Sequence, residues 1–344
     1  MSVHVNNTPV AHTVLGKVPV RELGTVLIHE SLLSVVPGAE FAPEVQMDQS
    51  EIFEVLKQKL MDFRRSGGKT IVDYSGMFHG RDVQLYQTLS KTTDVHIIAS
   101  TGLGPEKMLS GYFTTPQTHP PTPWPAHQFA RLFIQEAVEG ITVPRIERSG
   151  LAGMVTSIAT KDGIAEIEKN LFHACALTAL ETGVPMSVQY GADAVHDLDI
   201  ILQKGIDPSR VIIGGLDRTE AVERKEAFAI AERGSYVALD HVGWMTSEGY
   251  ICDADRAELI VELFEKGFGE RILISTNAVG CAKGYRAKEL GFNYLLTDFV
   301  PVLRKTGLTD QQIRTLVEEN PQRALTIEGG NEAANKLTLE AEQE

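Results

Sequence analysis

Two histidines stand at the ends of short apolar runs, each with a carboxylate beside it. His29 and Glu30 close GTVLIHE (24–30) and lead into Ser31, while Asp240 and His241 close SYVALDH (235–241). Histidine titrates nearest neutrality, so His29 and His241 are candidates for general acid and base. The plainer alternatives are a His29 held by a neighbour's hydrogen bond and an Asp240 that only orients loops. Other runs end in neutral polar groups: Thr156, Gln189 and Asn277, with Tyr190 one residue beyond Gln189. Together with Ser31 these suit the orientation of a substrate, Tyr190 either donating to an oxyanion or capping the pocket. Arg218 follows Asp217 and is able to bind a carboxylate or phosphate in bidentate fashion, or to pair with Asp217 or Asp240 instead. Cys281 would need a base such as His241 to become a nucleophile, and most free cysteines simply pack. Cys175, on the apolar face of HACALTAL, reads as core.

Such groups act together only if a scaffold gathers the run ends. Eight runs recur: GTVLIHE (24–30), KTIVDYS (69–75), VHIIAST (95–101), GMVTSIA (153–159), VPMSVQY (184–190), RVIIGGL (210–216), SYVALDH (235–241) and RILISTN (271–277). Continuous apolar strands are those of a parallel sheet covered on both faces. Segments of helical period lie between them, among them SEIFEVLKQKLMDFRRSGG and IEKNLFHACALTALETG, each closed by glycine. Eight β-then-α units predict an α/β fold, a (β/α)8 TIM barrel over 1–328 with its pocket at the C-terminal strand ends. The proline-rich stretch 104–128 is expected to loop over the barrel mouth, with Cys281 and Lys283 in the loop after strand 8. The polar segment 329–344 is expected to be a tail. Asp73 and Gly80-Arg81-Asp82 are expected to hold the loop after strand 2, Gly80 supplying a positive φ.

The 344 residues carry 43% hydrophobic and 23% charged side chains and a net charge of −14. That charge excludes nucleic acid and anionic membrane surfaces as expected partners. No apolar run approaches the roughly 18 residues of a spanning helix. The N-terminus lacks a basic start followed by an apolar core, so a cytoplasmic protein is expected. The three cysteines, Cys175, Cys252 and Cys281, suggest neither a disulfide framework nor a zinc knuckle.

Several stretches carry a family resemblance. GGKTIVDYSGMFHGRDV (67–83), ETGVPMSVQYGADAVHDLDIILQKGIDPSRVIIGGLDR (181–218), LDHVG (239–243) and FNYLLTDFVPVLRKTGLTDQQIRTLVEENPQRAL (292–325) resemble the phosphotriesterase-related branch of the amidohydrolases. The resemblance runs from Gly24 to Leu325, and it implies a barrel hydrolase with two metal ions. The family's ligand positions normally read His-x-His, a carbamylated lysine, His, His and Asp. Here they read His29, Ser31, Thr156, Gln189, Gly215 and Asn277, so only His29 survives. Metal pairs need imidazoles and anionic bridging ligands, and these replacements are neutral or, at Gly215, absent. No metal is therefore expected, zinc binding at most weakly. In the family the histidine after Asp240 resembles part of a proton relay from the metal-bound Asp, a partner that is Asn277 here. The lost ligands became polar rather than apolar, which points to a wet or ligand-filled cavity, because unpaired buried polar groups cost about 1–3 kcal/mol each.

Three readings of function stay open. The first is a metal-independent hydrolase or lyase acting on a small carbonyl compound such as a lactone, ester or amide. It would use His241, His29 and Asp240, with Ser31, Thr156, Gln189, Tyr190, Arg218 and Asn277 around the substrate. The second is a small-molecule-binding pseudoenzyme, and the third a hydrolase with one metal at His29 and Gln189 or Asn277. Homodimers are common in the family, and a homodimer remains open for this chain.

Overall fold

Each of the eight apolar runs forms a strand in the computed structural model, which describes residues 8–77, 79–109, 111–114, 124–143 and 147–327. They are β1 (Thr25–Val35), β2 (Gly68–Asp73), β3 (His96–Leu103), β4 (Met154–Ile158), β5 (Met186–Gln189), β6 (Val211–Gly214), β7 (Tyr236–Leu239) and β8 (Ile272–Ile274). A further strand, β9 (Val279–Lys283), follows. Pairing is parallel throughout, from β1 across to β8, with β9 on the far side of β1. β8 and β9 are two halves of one strand interrupted over 275–278, so the sheet closes as a (β/α)8 TIM barrel. Cys281 and Lys283 consequently lie in a strand, opposite Leu33 and Val35, and not in a loop as expected.

The interruption has a visible cause. Glu30 is fully buried and accepts hydrogen bonds from Ser275 Oγ (2.8 Å), the Thr276 backbone N–H (2.9 Å), Thr276 Oγ1 (2.8 Å) and the Ala278 N–H. Backbone donors that would have met a neighbouring strand meet a carboxylate instead. β1 adapts with a bulge: Leu27 pairs with Ile71 but Glu30 with Asp73, which leaves one extra residue in β1. Ile28 thus packs inside the barrel while the next side chain, His29, also reaches the interior cluster.

Inside the barrel Val26, Ile28, Val72, Ile98, Met154 and Leu273 form one apolar layer. Outside it, helices lay apolar stripes on the strands. The helix Gln49–Arg65 buries Ile52, Leu56, Leu60 and Phe63, spaced for one face, and Asp48 caps its first turn by accepting from the Ser50 and Glu51 N–H groups. The helix Glu166–Thr182, which holds buried Cys175, ends at Gly183 with φ 74°. Gly80 does take a positive φ (94°), and Asp82 caps the helix Val83–Thr93. Arg81 forms a buried bidentate pair with Glu136 (2.7 Å for each bond), and Asp73 accepts from Leu32 N–H and the Tyr86 hydroxyl.

Two hairpins carry no strand signal strong enough to read in sequence. Val10–Thr13 pairs with Gly16–Pro19, and Val10 also bridges Ile327; Ile141–Val143 pairs with Glu147–Ser149. Within 104–128, the segment Gly111–Thr114 is helical and a helix begins at Ala126, just after Pro125. The remainder of that stretch, 115–123, lies outside the described residues, as does the expected tail 329–344.

Candidate active site

Asp240 leaves the C-terminal end of β7 with its carboxylate fully buried, so every lone pair must be met from within the protein. Oδ2 lies 2.7 Å from His29 Nδ1 and accepts from Gln189 Nε2. Oδ1 accepts from the Gly215 N–H (2.8 Å) and lies 3.0 Å from His241 Nδ1. Four donors therefore converge on this one carboxylate. Burial pushes its pKa up, but the His241 charge and the bonds from His241 and His29 outweigh that and hold it well below the usual range. Three of the six sequence-predicted ligand positions (His29, Gln189 and Gly215) thus meet at Asp240.

His29 is committed at both nitrogens. Its Nδ1 faces Asp240, and its Nε2 lies 2.8 Å from Ser187 Oγ. With Nδ1–H donated to the carboxylate, Nε2 accepts from the serine hydroxyl. Ser187, His29 and Asp240 thereby line up like a nucleophile, base and orienting acid. Ser187 is nevertheless fully buried, two residues before Gln189 on the same strand face, so its hydroxyl meets the barrel interior and not the mouth.

His241 lies between two carboxylates. Its Nδ1 is 3.1 Å from Asp217 Oδ1 and 3.0 Å from Asp240 Oδ1, and its backbone N–H donates to Asp217 Oδ2 (2.9 Å). Burial lowers the imidazole pKa, yet Asp240 and Asp217 together raise it to about 9. Arg256, fully buried, donates Nε–H to Asp217 Oδ2 (2.8 Å) and pairs with Asp253. The ring of His241 stacks on Tyr250 at 3.8 Å and meets the edge of Trp244 at 5.4 Å. Its remaining nitrogen, Nε2, lies 2.9 Å from Asn277 Nδ2. A half-turn of that amide presents Oδ1 instead, so Asn277 serves either protonation state.

The other predicted residues divide. Thr156 is buried, whereas Ser31 and Asn277 are half-buried. Asn277 takes φ 47°, a left-handed conformation. Tyr190 is fully buried among apolar side chains, its hydroxyl has no hydrogen-bond partner, and burial raises its pKa. Arg218 forms no ion pair with Asp217 or Asp240; it donates to the Tyr190 and Gly191 carbonyls (3.0 and 2.9 Å) and stacks over the Tyr190 ring at 4.2 Å. The Cys281 thiol is pushed up by burial, the opposite of what a nucleophile needs. Ser187, Arg256 and Tyr250 escaped the sequence reading. Only Ser187 left a trace, two positions before Gln189; nothing local marks an arginine on a later helix. The cluster also lies apart from a cavity of about 440 Å³ beside the N-terminal hairpin, which is lined by Leu15, Gln87, Lys91 and Arg148.

The sequence profile of the phosphotriesterase family matches residues 9–325. The chain belongs to that family. Among its relatives, the phosphotriesterase homology protein of Escherichia coli is 24% identical over 301 residues, covering 87% of this chain and 96% of the relative. An aryldialkylphosphatase of Saccharolobus solfataricus is 27% identical (88% and 95% covered), and an N-acetyltaurine hydrolase of Danio rerio 25% identical (92% and 97% covered). Among solved structures, the phosphotriesterase from Mycobacterium tuberculosis superposes with a TM-score of 0.81 at 23% identity, covering 94% of this phosphotriesterase-family chain and all of that one. A phosphotriesterase-like lactonase variant from Deinococcus radiodurans gives the same TM-score and identity, with 92% and 99% covered. Among the described residues no helix is long and apolar enough to cross a membrane.

Proposed function

We propose that this phosphotriesterase-family chain is a hydrolase of small carbonyl compounds whose proton transfers are carried by His241 and not by a metal pair. Asp240 is the observation that carries this reading. Where the family would assemble two cations, its carboxylate already accepts from His29, Gln189, Gly215 and His241. The neutral side chains of Thr156, Gln189 and Asn277 supply neither the imidazoles nor the bridging anion that such a centre needs. A two-metal centre does not fit these residues, and no step is assigned to one.

His241 takes the acid role because it is an imidazolium at neutral pH and its Nε2 points toward half-buried Asn277 at the mouth. It donates its proton to the oxygen or nitrogen that leaves the carbonyl carbon, while water supplies the incoming oxygen and gives its own proton back to His241, restoring the imidazolium. Asp240 and Asp217 orient it, and His29, with no free nitrogen, positions Asp240. Ser31, Thr156, Gln189 and Asn277 line the approach. The lactonase and N-acetyltaurine hydrolase names among the relatives support an ester, lactone or amide as the bond broken.

A second reading has its own observation. Asp217, Asp240 and His241 offer ligand atoms within 4.8 Å of one another, which would suit one metal ion. Against it, a proton shared between His241 Nδ1 and the two carboxylates already fills that space, and Arg256 and Gly215 hold the outer lone pairs. Elemental mass spectrometry of protein grown with zinc, manganese or cobalt separates the two, alongside lactone, ester and amide hydrolysis with and without chelator. Near-zero metal, turnover that survives chelation and its loss in His241→Asn are expected. Stoichiometric metal with turnover abolished by chelator would overturn the proposal. Binding of such compounds without any turnover would favour a pseudoenzyme instead.

A further inference from the structure

His241 is 3% exposed, although the proton it delivers has to reach a substrate. The segment after β7 covers it. The Trp244 ring meets the imidazole edge-on at 5.4 Å, and the Tyr250 ring stacks on it at 3.8 Å. These two covers are held differently. Tyr250 forms a backbone bridge with Arg218, and the next N–H, that of Ile251, donates to the Asp217 carbonyl (3.0 Å). Residues 245–249, in contrast, are exposed, and the Glu248 and Gly249 N–H groups donate within the segment, to Met245 (2.9 Å) and Thr246 (3.0 Å). Gly243 (φ 86°) and Gly249 (φ 87°) bracket it in conformations that glycine takes without strain. Two attachments hold the segment down. Trp244 donates Nε1–H to the Thr276 carbonyl (2.9 Å), and Glu248 pairs with Lys288 (2.6 Å), whose Nζ also lies 5.1 Å over the Trp244 ring. Lys288 belongs to 284–291, the loop after β9, so this ion pair ties one mouth loop to another.

We propose that residues 244–249 form a lid over His241, hinged at Gly243 and Gly249 and latched by the Lys288–Glu248 ion pair, so that the imidazole meets substrate only after the latch opens. Swinging out carries Trp244 off the imidazole edge, while Tyr250 stays behind as the platform under the ring. Reclosing shuts water out of the proton transfer. An ion pair that is about a third exposed suits a latch, because it holds by a small margin and both charges are resolvated when it breaks. The use of the lid rests on the hydrolase reading; its opening does not, and is measured without substrate.

The test follows solvent exchange of the Trp244 indole N–H by NMR in the full chain, where the signal of the second tryptophan, Trp124, is assigned by Trp124→Phe. Alongside it, modification of His241 by diethyl pyrocarbonate is located by mass spectrometry. Glu248→Gln and Lys288→Met each break the latch, and Glu289→Gln removes a separate ion pair, with Arg286, from the same loop. All three side chains reach solvent, so the fold tolerates the changes. Both latch variants should speed indole exchange and His241 modification by about two- to fivefold, the effect of a partly exposed ion pair, and Glu289→Gln should speed neither. The two latch substitutions remove opposite charges. A merely electrostatic effect on His241 would therefore drive them apart, whereas an opened lid drives both the same way. Wild-type rates in both latch variants, rates that move in opposite directions, faster indole exchange with His241 still shielded, or an equal acceleration in Glu289→Gln would each overturn the lid. None of these outcomes touches the hydrolase reading, which stands or falls on turnover.

Discussion

Removing Arg256 asks directly what keeps the Asp217 carboxylate inside the protein. Both are fully buried and joined at 2.8 Å, so Arg256→Met strands a charge that water cannot reach. A loss of about 3–5 kcal/mol is expected in urea denaturation, and a smaller one when Asp217→Asn is added. His241 makes a second prediction at this scale. Its pKa rises from 6.5 to about 9 on folding because Asp240 and Asp217 overcome burial. The stability it contributes is therefore complete below pH 6.5 and is lost as pH rises through about 9. Denaturation midpoints at pH 7 and pH 10 should show that fall in wild type, and the His241→Asn curve should lack it. A wild-type curve flat across this window would remove the imidazolium. Residue types at strand ends were legible in sequence because a barrel collects them at one rim. Their bonding was not, since Arg256 and His29 meet the aspartates, and Ser187 meets His29, only through tertiary packing.

The split between β8 and β9 shows what a single side chain does to an element. RILISTN reads as one strand, and nothing within it announces that Glu30, some 245 positions away, will accept from Ser275, Thr276 and Ala278. Glu30→Gln would set amide hydrogens against those backbone donors. A cost of about 1–3 kcal/mol is expected by thermal unfolding, with barrel closure the part affected. Burial raises the Glu30 carboxyl to about 7, against the hydrogen bonds that favour its charged form. The folded state then keeps a proton that the unfolded chain gives up near 4.5, so this group's contribution falls as pH rises from about 4.5 to 7. Glu30→Gln should abolish that slope. Gly102 tests the neighbouring strands: its Cβ would stand 1.8 Å from the Thr156 carbonyl oxygen, at φ 117°. Gly102→Ala should therefore push β3 from β4 and lower the melting temperature far more than a surface Gly→Ala; an unchanged melting temperature would refute this contact.

At the scale of the whole molecule the barrel was the easiest feature to read, because eight apolar runs separated by helical segments admit few other closures. The N-terminal hairpin was the hardest, its four-residue strands being too short to carry a period. Yet that hairpin stitches the molecule: Val10 pairs with Pro19 and also bridges Ile327, bringing the first and last described strand residues together. Mechanical loading gives this a meaning that equilibrium stability does not. Stretched from its two ends in an optical trap, the chain would feel the Val10–Ile327 bridge first and shed it at low force. The barrel would then yield in a separate, higher-force rip, so the bridge serves as a sacrificial clasp that takes the strain before the rim of the barrel is deformed.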